Sequence, residues 1–193
     1  MAIIEAAWRL FAERGYTATS IDEIATAAGV GRATIFTSVG GKPALLKAAF
    51  DVAIVGDDQQ VALPDRPRSR QIRAEQDPTR YLALYAELVA EMGERLAPIA
   101  EAVRGAAGAD GDARELWESH LEQRRQGAAN VVADLVAKGA HLRAGLDPKT
   151  AADVLWVLND PGLYGNLVLR RGWTPDRFRT WLGNAMRQQL IGG

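Results

Sequence analysis

Apolar positions along the chain recur at helical spacing, and no stretch shows the strict alternation of a strand. Ile3, Ala7, Leu10 and Phe11, widened by Ile4 and Trp8, line one side of a first helix that closes at Gly15. Ser20, with Glu23 three residues later, has the spacing of a capping box. It opens a second helix carrying Ile21, Ile24, Ala25 and Ala28. Gly29 supplies the left-handed stop common at helix ends, and Val30 plugs the turn. A third, short helix then runs from about Gly31 or Arg32 to Val39. Gly40-Gly41 breaks the chain, and Pro43, a residue favoured at helix starts, opens a helix to about Val55 that buries Leu45, Leu46, Ala49 and Phe50. Two short helices around a Gly-containing tight turn predict a helix-turn-helix; the other reading of the same stretch is a hairpin in an ordinary bundle.

The remainder is also helical in pattern. Asp57 to Asp77, with Pro64, Pro67 and the arginines Arg66, Arg68, Arg70 and Arg73, reads as a solvated linker. Pro78 starts a helix with a Tyr81, Tyr85, Leu88 and Met92 stripe, Pro98 to Val103 forms a short helix, and Gly105 to Gly111 is a flexible turn. Asp112 is expected to cap a long helix to about Ala137 that turns Trp117, Leu121, Ala128, Val132 and Leu135 inward. Asp147-Pro148 starts a helix carrying Val154, Leu155 and Leu158, which Pro161-Gly162 must break or kink. Leu163, Leu167 and Val168 follow to a stop at Gly172. Thr174-Pro175 caps a last helix with Phe178, Trp181, Leu182, Ala185, Met186 and Leu190 on one side.

Composition narrows the function. The 193 residues are 48% hydrophobic and 24% charged, as expected of a globular chain with a real core. The formal net charge of -1 provides no global basic field, so any affinity for DNA must be local. There is no cysteine, which excludes disulfides and thiolate chemistry and suits a reducing cytoplasm, the expected location. No apolar run approaches the roughly 20 residues of a membrane span, and no signal-peptide pattern precedes the first helix. His120 and His141 are the only histidines and show no metal-ligand spacing, and no serine stands in a nucleophile motif. No enzyme, cofactor or metal site is therefore expected.

The chemistry-bearing stretch is Ile24 to Leu46. It contains no Asp or Glu, and its charges are Arg32 and Lys42. The third helix offers Arg32, Thr34, Thr37 and Ser38, small enough to enter a major groove and able to hydrogen-bond bases or phosphates. In order along the chain, Ile3, Ala6, Ala7, Leu10, Phe11, Gly15, Tyr16, Thr19, Ile24, Ala25, Ala28, Gly29, Val30, Thr34, Ile35, Lys42, Leu45 and Leu46 follow the pattern of the N-terminal DNA-binding domain of the tetracycline-repressor-like (TetR) family, which the chain resembles over about its first quarter. Gly31 stands where that family usually has a Ser cap, Phe36 replaces a Tyr, Ser38 a His and Val39 a Phe. The chain also begins without the basic arm of many relatives. These departures imply either modest DNA affinity or a native N-terminus that lies ahead of Met1.

The resemblance implies an all-α fold, with an N-terminal three-helix DNA-binding domain over residues 1–50 and a C-terminal helical ligand-binding and dimerisation bundle over 51–193. It implies a ligand-responsive transcriptional regulator, a repressor that grips a palindromic double-stranded operator as a homodimer and is released by a small molecule. The DNA-binding residues are then Thr19, Arg32, Ala33, Thr34, Phe36, Thr37, Ser38 and Lys42. A pocket in the bundle is expected from Tyr81, Tyr85, Trp117, His120, Arg124, Trp156, Asn159 and Tyr164, suited to a hydrophobic or aromatic effector. The dimer interface is expected from Leu163, Leu167, Phe178, Trp181, Leu182, Ala185 and Met186, because the last helix carries more apolar surface than one flank of a small bundle needs. The alternative is a helical small-molecule- or partner-binding protein whose helix-turn-helix no longer binds DNA.

Overall fold

A computed structural model describes residues 1–59 and 61–192, and among them no strand forms; the single antiparallel bridge pairs Leu142 with Ile191. Ten helices follow in order: α1 Ala2–Arg14, α2 Ile21–Ala28, α3 Arg32–Ser38, α4 Lys42–Val55, α5 Pro67–Ala74, α6 Pro78–Ala106, α7 Gly111–Ala137, α8 Pro148–Leu158, α9 Pro161–Tyr164 and α10 Pro175–Leu190. A 3-10 turn covers Leu63–Asp65, and α9 continues as a π-helical segment, Gly165–Arg170. None of the described helices is long and apolar enough to cross a membrane.

The chain divides into two compact units. The first comprises residues 1–60 and 95–120, the second 61–94 and 121–193. The division cuts across the boundary at residue 50 expected from the sequence, because the C-terminal part of α6 and the N-terminal part of α7 share a core with the first four helices. Ala7, Leu10, Phe11, Ile24, Ile35, Leu45, Leu46 and Phe50 are buried with Leu96, Ile99, Ala100, Val103 and Ala113 in one cluster. The Trp8 indole N–H donates to the Arg95 carbonyl at 3.0 Å within this unit.

Local chemistry sets the helix ends. The Ser20 hydroxyl accepts from the Glu23 amide at 3.2 Å while Glu23 Oε2 accepts from the Ser20 amide at 2.8 Å, the reciprocal capping box. Gly29 sits at φ 68°, ψ 31°, and the Val30 amide reaches back to the Ala25 carbonyl, a Schellman closure. A side chain at position 29 would be strained in this left-handed conformation. Asp147, Asp160 and Thr174 cap α8, α9 and α10 through their side chains.

Three sequence expectations are corrected. The Asp57 to Asp77 stretch is not an unstructured linker, since it holds the 3-10 turn and α5. Pro67 starts that helix, Ile72 is buried within the second unit, and Arg68 bridges Glu87 at 2.6 Å. With Ile72 its only large buried side chain, α5 leaves no apolar period to read. Pro98 does not open a separate helix; α6 runs through it, because Leu96, Ala97, Ile99 and Ala100 on either side are buried and their packing offsets the lost hydrogen bond. The cap of α7 is Asp110, whose Oδ1 accepts from the Ala113 amide at 2.9 Å, and Asp112 already lies inside the helix.

Candidate nucleic-acid interface and helical-unit polar cluster

Helix α3 has the sequence Arg-Ala-Thr-Ile-Phe-Thr-Ser, without a carboxylate. Its one buried residue, Ile35, locks it to the core, and this fixes which way the rest of the helix faces. Arg32, Ala33, Thr34, Phe36, Thr37 and Ser38 are all exposed. The Thr37 hydroxyl lies 3.1 Å from the Thr34 carbonyl and 3.2 Å from that of Ala33, and the Ser38 hydroxyl donates to the Thr34 carbonyl at 2.6 Å. These back-bonds use the hydroxyl protons and leave the oxygens outward as acceptors, the polarity suited to the exocyclic amines of adenine and cytosine. Phe36, 47% exposed, is an outward ring rather than a core residue. The Arg32 guanidinium lies 5.5 Å from the centre of that ring, and its Nη1 donates to Asp22 Oδ2 at 2.7 Å.

Lys42, at the start of α4, is half-buried. Its ammonium lies 4.3 Å from the centre of the Tyr16 ring and donates to the Thr17 carbonyl at 3.4 Å. Burial draws its pKa below the usual lysine value, against the opposing charges of Asp110 and Glu23. Tyr16 is itself pushed up to about 12 by burial first, then by Asp110 and Asp112, with Asp110 also accepting a hydrogen bond from it. Sequence reasoning missed this link between the first turn and the α6–α7 connection, since nothing local marks a contact across that separation.

Thr19 does not belong to the interface. It is 1% exposed, and its hydroxyl donates inward, 2.9 Å from the Gly15 carbonyl and 3.2 Å from that of Leu10. It ties the segment after α1 to the Leu10 carbonyl of that helix and to the Gly15 carbonyl at its end, and its burial leaves no surface to offer a nucleic acid.

The residues expected to form an effector pocket fall into separate groups. In the second unit Tyr85, Arg124, Trp156 and Asn159 come together. Arg124, with its side chain 9% exposed, donates through Nη1 to Asp160 at 3.0 Å, through Nη2 to the Trp156 carbonyl at 2.7 Å, and through both Nη2 and Nε to Asn159 Oδ1. Its guanidinium stacks 5.3 Å from the Trp156 ring centre, and Asn159 Nδ2 donates to the Tyr85 hydroxyl at 3.2 Å. Burial lowers the Arg124 pKa, while Asp160 and then Tyr85 act to raise it. The Trp156 indole N–H is buried without an acceptor, a deficit that a native structure rarely leaves unexplained.

Tyr81 stands outside this group, its hydroxyl donating to Asp134 at 3.0 Å with Lys138 over its ring. Tyr164 is packed edge-on against Phe178, over Gly93, where an added Cβ would meet its own at 2.9 Å. Trp117 and His120 belong to the first unit, with His120 edge-on to Phe50 at 4.9 Å.

Among the residues expected at a dimer interface, Phe178, Leu182 and Met186 are buried within their own chain and close its core. Trp181, Ala185, Leu163 and Leu167 keep part of their surface, and Leu169 is 56% exposed. Trp181 stands edge-on to Trp173 at 5.9 Å, and Arg177 covers Trp173 at 4.0 Å.

Residues 3–49 match the model of the bacterial regulatory proteins of the tetR family. No curated protein matches the chain at a significant level. Solved structures superpose over nearly its whole length. The fatty acid degradation regulator FadR from Bacillus halodurans shares 18% identity at a TM-score of 0.75, covering 96% of this chain and 92% of its own. The Saccharomonospora viridis protein solved in complex with choline shares 23% at 0.75, covering 100% and 97%. NalD, the secondary repressor of the MexAB-OprM multidrug efflux pump in Pseudomonas aeruginosa, shares 26% at 0.69, covering 98% and 94%. The helix-turn-helix segment is thus that of the tetR family of bacterial regulatory proteins, and the chain as a whole has the fold of solved TetR-family transcriptional regulators such as those from Rhodococcus sp. and Mesorhizobium loti.

Proposed function

We propose that the chain is a repressor in the cytoplasm that binds a palindromic operator as a homodimer and leaves it when a small molecule occupies the second unit. The observation that carries this reading is the outward face of α3, which is acid-free and held in register by Ile35. Such a face enters a major groove, and two copies reach half-sites about 34–36 Å apart, one helical turn. Arg32, Thr34, Thr37 and Ser38 read base edges, and Lys42 takes a phosphate. The second copy docks on Leu163, Leu167, Trp181 and Ala185.

The effector site is the Arg124 cluster, with the idle indole N–H of Trp156 as a donor awaiting an acceptor. This shifts the expected ligand from a purely apolar molecule to one bearing a carbonyl or carboxylate on an apolar body. Choline, the ligand of the Saccharomonospora viridis relative, is the counter-probe, since it carries neither a carbonyl nor a carboxylate for the Trp156 indole N–H.

Selection of duplexes from a random library, followed by titration of the enriched sequence, tests the reading. Arg32→Ala should cost roughly 1–3 kcal/mol on that sequence. Lys42→Ala should weaken all duplexes alike and reduce the salt slope by about 0.9. Failure to enrich any sequence favours a helical binding protein that has lost DNA recognition.

A further inference from the structure

The guanidinium of Arg32 does not project freely from the DNA-facing surface. Its Nη1 is held by Asp22, from the first turn of α2, and its face lies over Phe36. Both partners remain in solvent, with side chains 55% and 67% exposed, so the pair contributes little to folding. Its consequence is geometric and electrostatic. Engagement of Nη1 leaves the Nε and Nη2 edge to pair with another group. A guanine presents O6 and N7 without formal charge and can share the guanidinium with a carboxylate. A phosphate carries a full negative charge and must displace Asp22 or sit beside it against Coulomb repulsion.

We propose that Asp22 is a specificity-determining residue, which holds Arg32 away from phosphates and presents its remaining edge to a base pair, so that DNA at large is bound more weakly while the operator is spared. The neighbouring acid of the same turn, Glu23, is likewise matched to a cation, Arg14, at 2.9 Å. The first turn of α2 thereby pairs two arginines, Arg14 and Arg32, with a carboxylate each. In a chain of net charge -1, with no global field to set the background affinity, a single local charge has large leverage on it. The inference rests on the reading of α3 as the operator-reading helix.

The test uses fluorescence anisotropy on two labelled duplexes, the one enriched by the wild-type protein and a scrambled one of equal composition, over a range of potassium chloride. Asp22→Asn should tighten the scrambled duplex about fivefold and steepen its salt slope by about 0.9, the value of one added phosphate contact. Operator affinity should change by less than about twofold. In an Arg32→Ala background the same substitution should leave the ratio of the two affinities unchanged, and Asp22→Glu, which keeps the charge, should preserve that ratio in the wild-type background. Equal tightening of both duplexes, or the same gain with Arg32 absent, would make Asp22 a generic negative charge and overturn the proposal. A wild type that enriches no duplex overturns the operator reading and this inference with it. An enriched duplex with an unchanged affinity ratio in Asp22→Asn overturns the inference alone.

Discussion

On α3 the hydroxyl groups of Thr37 and Ser38 are satisfied within one turn of where they stand, whereas the polar groups around Arg124 are satisfied across helices. Thr37 and Ser38 return their protons to carbonyls of their own helix, and the apolar anchor is the single residue Ile35. Arg124 on α7 reaches α8 and the residues that follow it, and Asn159 passes the network on to Tyr85 on α6. The first arrangement leaves the surface unchanged when a partner approaches or departs. The second cannot lose or gain a partner without disturbing three helices. Under the proposed function, a surface that reads DNA repeatably suits the first, and a site that converts binding into movement suits the second.

The largest effect that separates them is expected from Arg124→Ala. It strands Asn159 and the Trp156 carbonyl in the interior. Because Asp160 is 40% exposed, the loss falls below that of a fully buried pair, at about 2–3 kcal/mol of unfolding free energy. Denaturant titration checks it, and a change below about 0.5 kcal/mol would show that the cluster is slack. Thr19→Val should cost about 1–2 kcal/mol of stability, because two carbonyls lose a buried donor while shape is kept, and operator affinity of the folded protein should be unchanged. That variant sharpens the contrast, since it removes a buried polar group that ties the segment after α1 back to that helix. Phe36→Tyr should leave stability within about 0.5 kcal/mol, the ring being exposed. It should strengthen operator binding by about 1 kcal/mol if the new hydroxyl meets a phosphate. Unchanged affinity would place the ring clear of the backbone.

The smallest effect is electrostatic. Glu23 is lowered from its usual 4.5 by hydrogen bonds from the Ser20 amide and hydroxyl and then by Arg14. A carboxylate depressed on folding stabilises above its unfolded value, and that contribution fades as pH falls through the folded one. The melting temperatures of wild type and Glu23→Gln should therefore converge between about pH 5 and pH 3. A constant gap across that range would remove Glu23 from the acid response.

What the sequence disclosed follows the same division. The capping box at Ser20 and Glu23, the Gly29 closure and the helix starts at Asp147 and Thr174 rest on neighbours within a few residues, and all are in place. The exposed set on α3 was legible for the same reason. Thr19 was misread because its partners are the carbonyls of Leu10 and Gly15, and the family pattern marks the residue without stating which way it points. The grouping of Tyr85, Arg124, Trp156 and Asn159 apart from Tyr81 and Tyr164 depends on how helices rotate against each other. An aromatic at helical spacing carries no record of that rotation. Phe178, Leu182 and Met186 show the same limit, because apolar excess on α10 does not say whether it covers its own core or a second copy.

The sharing of one core between the first four helices and residues 95–120 bears on how such proteins can recombine. The family signature ends at residue 49, yet the walls that cover Phe11, Ile24 and Phe50 include Leu96, Ile99 and Val103. A DNA-reading head cut at that signature is not a portable cassette: grafted alone onto a foreign bundle, it would arrive with part of its apolar interior open to water. A viable chimaera has to carry residues 95–120 along or rebuild their face on the recipient. The C-terminal part of α6 thus helps to enclose the first four helices although the family signature does not reach it.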